Sequence, residues 1–496
     1  MVCSVSIFVK RAENTRSIFF TLRPVAPRGL IFAGCMTLAI AGCTNYKPQP
    51  IAAAYTASRL EGRSLDDPRL NMFITAALGA RGSETKSTWD LARLTLAALY
   101  FHPDLDVARA RLASARAGVI TAGQIPNPSL DLGLTYNTTT TSPSPLTTGP
   151  IINFLLETFG KRQYRTAQAE HLTAAARDDL ATAAWRVRSE VRTALLDLWA
   201  VEQRLRVNRR RLDLQNQLVH LLEHRFDAGE ASSLDVTRER VQRNRISLVI
   251  REDEVQLATD RVQLATAIGI PATALTDVEL SFDAFNRPVP PPDNTTSALR
   301  REALLHRSDV QGLLAEYAAA QSALQLAVAE QFPNLSLGPG YEYDQGDNKY
   351  SLSLSASLPI FNQNQGPIAE AEAHRQDVAG RFTALQARII GQIDSAAARY
   401  GAESEALTTA NTLLAEARER EQQVTRSFQA GAVGRPSLVT SRLELAAAEL
   451  SRLDVVVRQR QALGTLEDAL QHPFFEPGVQ PFVPTSNPRI APEPPS

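Results

Sequence analysis

Residues 350–360 read Tyr350-Ser351-Leu352-Ser353-Leu354-Ser355-Ala356-Ser357-Leu358-Pro359-Ile360, and the fold turns on how this stretch is read. Every second residue from Tyr350 is apolar or small, and the four between them up to Ser357 are serine. A period of two is a strand with one apolar and one wet face. Ten or so residues is the length a tilted strand needs to cross a bilayer. The sequence after it is long, alanine-rich and free of strand alternation. A membrane-type strand feeding a very long helix is an unusual pairing, and it narrows the fold.

Composition agrees with helix on helix. Of 496 residues only 6% are aromatic, while Ala, Leu, Arg, Glu and Gln abound, which suits closely packed helices. The net charge of −1 gives no electrostatic case for nucleic acid. The three cysteines, Cys3, Cys35 and Cys43, all lie near the N-terminus, so the body holds neither a disulfide nor a thiolate metal site. Arg23 and Arg28 precede an apolar run over 29–41 that ends Ile40-Ala41-Gly42-Cys43. That is a secretory signal over 1–42, closing on a motif that resembles the bacterial lipobox. Cys43 is then the expected lipid anchor, a covalent lipid being the only non-protein group expected. Thr44, in place of Asp, points to the outer membrane. No other apolar run is long enough for a transmembrane helix, so strands must do the spanning.

Residues 43–87 read as anchor and linker. A first repeat is expected over 88–285. It begins with helical pattern over 88–122, broken at His102-Pro103-Asp104. A strand over 128–137, a Thr/Ser/Pro loop and a strand over 150–159 make a hairpin with one polar and one apolar face. A helix then starts at Gly160-Lys161-Arg162 and meets no proline until Pro271. Its first arm carries Val187, Val191, Ala194, Leu198, Val201, Leu205, Leu212, Val219 and Leu222 in a four-three rhythm, interrupted at Asn208 and Gln215. That is a coiled-coil seam, and at 1.5 Å per residue the arm reaches roughly 100 Å. Gly229 suits the helix C-cap and Ser233 the N-cap of the return helix.

The order repeats over 286–473, offset by about two hundred residues. Pro333-Asn334-Leu335-Ser336-Leu337 echoes Pro126-Asn127-Pro128-Ser129-Leu130, and Phe428-Gln429-Ala430-Gly431 echoes Phe226-Asp227-Ala228-Gly229. Strands are expected at 333–343 and 350–360, although Pro339 lacks a ladder donor. A proline-rich tail covers 474–496. Each half has one long helix and two of about half its length, which stack end to end. The expected fold is mainly α with a small membrane β-barrel, built from a duplicated helix–β-hairpin–helix unit. Four strands cannot close in lipid, because open edges are not tolerated there. Other copies must supply the rest, and twelve strands from three protomers is the simplest count that leaves a lumen.

Over residues 88–472 the chain resembles the TolC-like outer-membrane factors of Gram-negative efflux and secretion systems. The likeness rests on the duplication, the Pro-Asn-Pro-Ser-Leu strand entry, the Phe-Gly-Lys-Arg exit, Leu358-Pro359-Ile360-Phe361-Asn362-Gln363-Asn364-Gln365-Gly366 and the Phe-x-Ala-Gly turns. The Asn-Gln-Asn-Gln-Gly run and the Glu-Ala-Glu-Ala after it look most like the branch serving heavy-metal cation pumps. The resemblance implies a homotrimer with a shared twelve-stranded barrel, a long coiled-coil α-barrel reaching into the periplasm and anchorage in outer-membrane lipid. It also implies partnership with a periplasmic adaptor and an inner-membrane pump, and a passive conduit rather than an enzyme. Adaptor contacts map to the tips, at Phe226, Gly229, Ser233, Phe428, Gly431 and Pro436. Asp235 sits where family tunnels narrow at an acidic ring, but its counterpart in the second half is Ser437. Asp235 equally suits a first-turn carboxylate at the positive helix end.

Two other classes of function stand beside the channel. His220-Leu221-Leu222-Glu223-His224 fits an inverted zinc-protease pattern, which would make the chain a lipid-anchored metalloenzyme. The segment lies on a coiled-coil arm with no cleft and no obvious third ligand, so catalysis is not expected; solvated helix surface is the expectation, with a transient cation contact at His220 and His224 as the alternative. A periplasmic coiled-coil adaptor would carry a central helical hairpin flanked by β-domains, whereas here helices flank short strands twice. Lys161, Arg162 and Arg165 form a basic cluster expected either at membrane headgroups or on a wet helix start.

Overall fold

The computed structural model describes residues 46–78, 88–139, 141–142, 144–286, 296–475, 485 and 488–489. Cys43, the signal segment and most of the tail lie outside the described residues. The chain divides into two compact units, residues 1–56 and 57–496, and the second carries the long helices and the sheet.

Two long helices dominate that unit. Helix α4 (Lys161–Asp227) has 67 residues and α8 (Gln365–Gln429) has 65. Each is flanked by two shorter helices stacked along it. Helices α3 (Pro103–Gly123, 21 residues) and α5 (Ser233–Ile268, 36 residues) pack along α4. Helices α7 (Ser308–Ala329, 22 residues) and α9 (Arg435–Leu470, 36 residues) pack along α8 and also against α4. The result is a helical layer ordered α3–α4–α7–α8 in one half of its length and α5–α4–α9–α8 in the other. The long helices persist because neither holds a proline after its first turn and each buries a seam against its neighbours.

The seam explains the sequence interruptions. Asn208 is 1% exposed and its amide donates to Asp253 of α5 at 2.9 Å; Gln215 donates to the Glu239 carboxylate at 2.6 Å. Both polar layers are therefore answered across the coil, as buried polar groups must be.

Near mid-length the core is widest. Helix α2 (Leu91–Phe101) buries nearly every residue, and α1 (Pro68–Leu78) lays Leu70 and Ile74 on it. The break between α2 and α3 falls at His102, whose Nδ1 accepts from Asp104 N while Pro103 opens α3. Arg63 ties the linker down by donating to the Phe101 and Gly269 carbonyls at 2.8 and 2.6 Å. Helix α6 (Thr296–His306) takes the corresponding place before α7. Thr88–Trp89 pairs in parallel with Glu279–Leu280.

A charged cluster joins the two repeats here. Glu467 of α9 is 0% exposed and pairs with Arg188 and Arg192 of α4, themselves 3% and 4% exposed. Asp468 accepts from Arg192 Nη2 at 2.7 Å and from Trp185 Nε1 at 3.2 Å. Burial is the largest influence on the Glu467 carboxyl and pushes its pKa up, with Arg192 and Arg188 pulling the other way. A Cβ at Gly464 would lie 2.8 Å from Arg192 Nε, so a larger residue there would have to displace the guanidinium.

Strands β1 (Ser129–Tyr136), β2 (Leu146–Leu156), β3 (Leu335–Asp344) and β4 (Asp347–Ala356) form one antiparallel sheet in the order β1-β2-β3-β4. The two hairpins thus lie side by side. The last strand ends at Ala356, opposite Leu335, where β3 begins. Ser357 to Ile360 lie beyond the ladder that the alternation alone suggests, since no partner strand remains there and Pro359 has no N–H to give. Strand β2 starts at Leu146, four residues ahead of the expected start. Pro339 does lie within β3, opposite Leu352; the β2–β3 bridges skip it and Pro150.

Candidate functional site

The sheet's register sorts its side chains by face. Leu130, Leu132, Leu134 and Tyr136 of β1 stand opposite Ile152, Pro150, Thr148 and Leu146 of β2. Phe154 and Leu156 stand opposite Leu337 and Leu335 of β3, which in turn face Leu354 and Ala356 of β4. One side of all four strands is therefore almost wholly apolar. The other side presents Asp131, Thr135, Thr147, Asn153, Ser336, Glu342, Asp344, Lys349, Ser351, Ser353 and Ser355, with Ile151 and Leu155 of β2 its large apolar exceptions. Asn153 donates to Asp131 at 2.5 Å and Thr147 to Asp344 at 2.6 Å on that wet side. Gly149 permits the β2–β3 approach, because a Cβ there would come within 1.9 Å of the Tyr341 carbonyl oxygen.

The apolar side is uncovered. Leu132, Leu134, Tyr350 and Leu352 are each more than two-thirds exposed. Within one chain β1 and β4 are both edge strands. An apolar face with aromatic ends and two open edges is the arrangement that lipid and further strands complete. Tyr341 lies near Tyr350 at the loop end, ring centres 5.5 Å apart. Phe159 stacks on Phe332 at 4.1 Å where the chain enters the helices, and Phe361 beside that entry is 99% exposed.

The helical layer has open edges as well. On α5, Leu234, Val241, Leu248, Val255 and Val262 are all exposed and each is seven residues from the next. The buried seam against α4 includes Ile246, Ile250, Asp253 and Asp260. The stripe occupies the heptad position farthest from that seam. At the other edge α8 exposes Ala384, Gly391, Ala398, Glu405 and Thr412 at the same spacing, four of them small.

The tips are alike in backbone. Helix α4 ends with Gly229 at φ +75°, and α8 with Gly431 at φ +75°. Gly229 N donates to the Phe226 carbonyl and Glu230 N to the Arg225 carbonyl, matched by Gly431 N to Phe428 and Ala432 N to Ser427. These are paired Schellman closures, which need a left-handed residue at the turn. The tips differ in how the return helix starts. Ser232 caps α5, one residue earlier than the expected Ser233, and Asp235 reaches back to Ser232 in a capping box. Its carboxyl is held below the usual range by the hydrogen bond from the Ser232 side chain, then by that from its backbone. In the second tip Pro436 takes the first turn of α9 with no side-chain cap. Phe226 and Phe428 are both partly exposed beside the turns.

Other expected features take different places. Lys161 is buried: its Nζ donates to the Phe332 carbonyl at 2.6 Å and to Asn334 Oδ1 at 2.7 Å. Arg165 donates to Glu157 at 2.8 Å and to the Ala122 carbonyl at 2.8 Å. Lys161 therefore clasps the two repeats together below the sheet, Arg165 ties the chain just after β2 to the end of α3 within the first repeat, and only Arg162 is exposed. His220 and His224 are exposed on α4, and among the described residues no group of three or more His, Cys, Asp or Glu could hold a metal ion. Among those residues no helix is long and apolar enough to cross a membrane.

The chain thus presents a duplicated helical layer carrying a two-faced, four-stranded sheet with open edges. Residues 94–270 match the family model described as outer membrane efflux protein. The chain is 29% identical to the pyoverdine export outer membrane protein OpmQ of Pseudomonas aeruginosa over 303 residues, 56% of this chain and 62% of that protein. It is 24% identical to the cobalt-zinc-cadmium resistance protein CzcC of Cupriavidus metallidurans over 377 residues, 74% of this chain and 86% of that protein. The match thus spans less than two-thirds of OpmQ and most of CzcC. Among solved structures, the outer-membrane channel OprN superposes with a TM-score of 0.63 at 21% identity, covering 87% of this chain and 99% of that one. Over part of its length the chain is thus similar to outer membrane efflux proteins, and it shares the fold of the OprN channel.

Proposed function

We propose that this protein is the outer-membrane channel of a tripartite efflux system, a passive conduit running from a periplasmic adaptor and inner-membrane pump to the exterior. One observation carries the reading: sheet and helical layer are both open at both edges, while the sheet has one face for lipid and one for water. Three copies would close twelve strands into a barrel and the helices into a tunnel beneath it. The exposed heptad stripe on α5 supports the closure. Its leucines and valines lie in the half of the layer where α8 exposes Ala398 and Thr412, small residues of a second copy that would receive them as holes receive knobs. Lipidation at Cys43 would add an anchor beside the barrel strands. The broad match to a cobalt-zinc-cadmium resistance protein supports divalent metal cations as cargo.

In this reading the tips receive the adaptor. A non-glycine residue at φ +75° costs about 1–2 kcal/mol locally, too little to unfold a helix of this length. Gly229→Trp and Gly431→Trp are each expected to reduce efflux to the level of a strain lacking the protein, while the oligomer in the outer membrane persists. Efflux assays beside membrane fractionation check this. Normal export by both variants contradicts the tip assignment.

A further inference from the structure

We propose that His220 and His224 form an exchangeable two-imidazole site for one divalent transition-metal ion, with Cu²⁺ preferred over Zn²⁺ and Ni²⁺. The two histidines sit one turn apart on the exposed face of α4, a single turn from its end at Asp227. Their ring centres are 4.3 Å apart and the ring planes meet at 73°. Residues four apart on a helix are surface neighbours, and neutral imidazole is a good ligand for copper, nickel and zinc. An ion bound at about 2.0–2.1 Å by one nitrogen of each ring would set the ring centres about 5 Å apart. The rings must therefore part by less than about 1 Å, within ordinary side-chain freedom at an exposed site.

The surroundings permit a cation. Arg225 and Arg240 beside the pair are already engaged, and Arg243 donates to Asn244 at 3.2 Å. Arg225 pairs with Glu230 at 3.4 Å, and Arg240 Nε donates to the Glu223 carboxylate at 2.9 Å. Of the chain's seven histidines, these two alone have the four-residue spacing. With no third protein ligand among the described residues, water would complete the coordination. Such a site loads and releases its ion instead of holding it as a structural zinc does. The order of preference follows the general rise in affinity to copper. The site's existence does not depend on the channel reading, and its test does not use export.

The test is titration of the full-length protein, purified in detergent with a tag free of histidine, against CuCl₂ and separately ZnCl₂. One ion per chain is expected at this site. His220→Ala and His224→Ala should each weaken Cu²⁺ binding at least about tenfold, the minimum seen even for loss of an outer-shell partner, and the double variant should abolish it. His374→Ala, elsewhere on a long helix, should bind as the parent does. Circular dichroism confirms that each variant keeps its helix. Unchanged Cu²⁺ binding by the folded double variant, or no binding by the parent, overturns the proposal.

Discussion

Glu467→Ala is expected to cost the helical body about 3–5 kcal/mol, the penalty for removing one partner of a buried ion pair. The carboxylate lies fully buried between Arg188 and Arg192, and these guanidiniums are almost as deeply buried. Without it, two positive charges face each other in the core where α4 and α9 meet, held only by Asp468 on one side. Chemical unfolding followed by helical circular dichroism measures the loss. A triple variant, Arg188→Met, Arg192→Met and Glu467→Leu, should recover most of it, because a buried ion cluster replaced whole by apolar groups is often neutral. A single variant as stable as the parent would show that the cluster is solvated in the assembled protein.

The second large effect separates the two faces of the sheet. Leu354→Arg places a charge on the apolar side, opposite Leu337. Near the bilayer midplane this costs about 2–4 kcal/mol per chain, and a shared barrel would incur it once for every copy. The heat-modifiable oligomer should vanish from the outer-membrane fraction. Ser351→Arg, three residues away on the opposite face and in register with Gly340, should assemble as the parent does, because charges on a water-lined face are tolerated. Equal behaviour of the two variants would mean that the faces are not divided between lipid and water.

Much of this architecture is legible from periodicity alone. The serine alternation after Tyr350 announces a two-faced strand, and the four-three rhythm from Val187 onward announces a coil. The Phe-x-Ala-Gly repeats locate both turns, where the structure has two glycines with the same positive φ. The features that stay hidden depend on partners far away in sequence. The limits of β4 follow from where β3 begins, so alternation alone runs the strand on to Ile360. Lys161 reads as a wet helix start until Phe332 and Asn334, from the other repeat, fold against it. Arg188, Arg192 and Glu467 look like ordinary helix-surface charges, because Glu467 lies 279 residues beyond Arg188 in the chain. Asn208 and Gln215 look like breaks in a seam because Asp253 and Glu239 belong to the return helix.

One chain leaves its sheet and helical layer open at both edges and encloses no pore by itself, so the proposed channel needs further copies. Native mass spectrometry of the detergent-purified protein tests it most directly. Three chains per particle, collapsing to one on heating, is the predicted result; a stable particle of a single chain would contradict it.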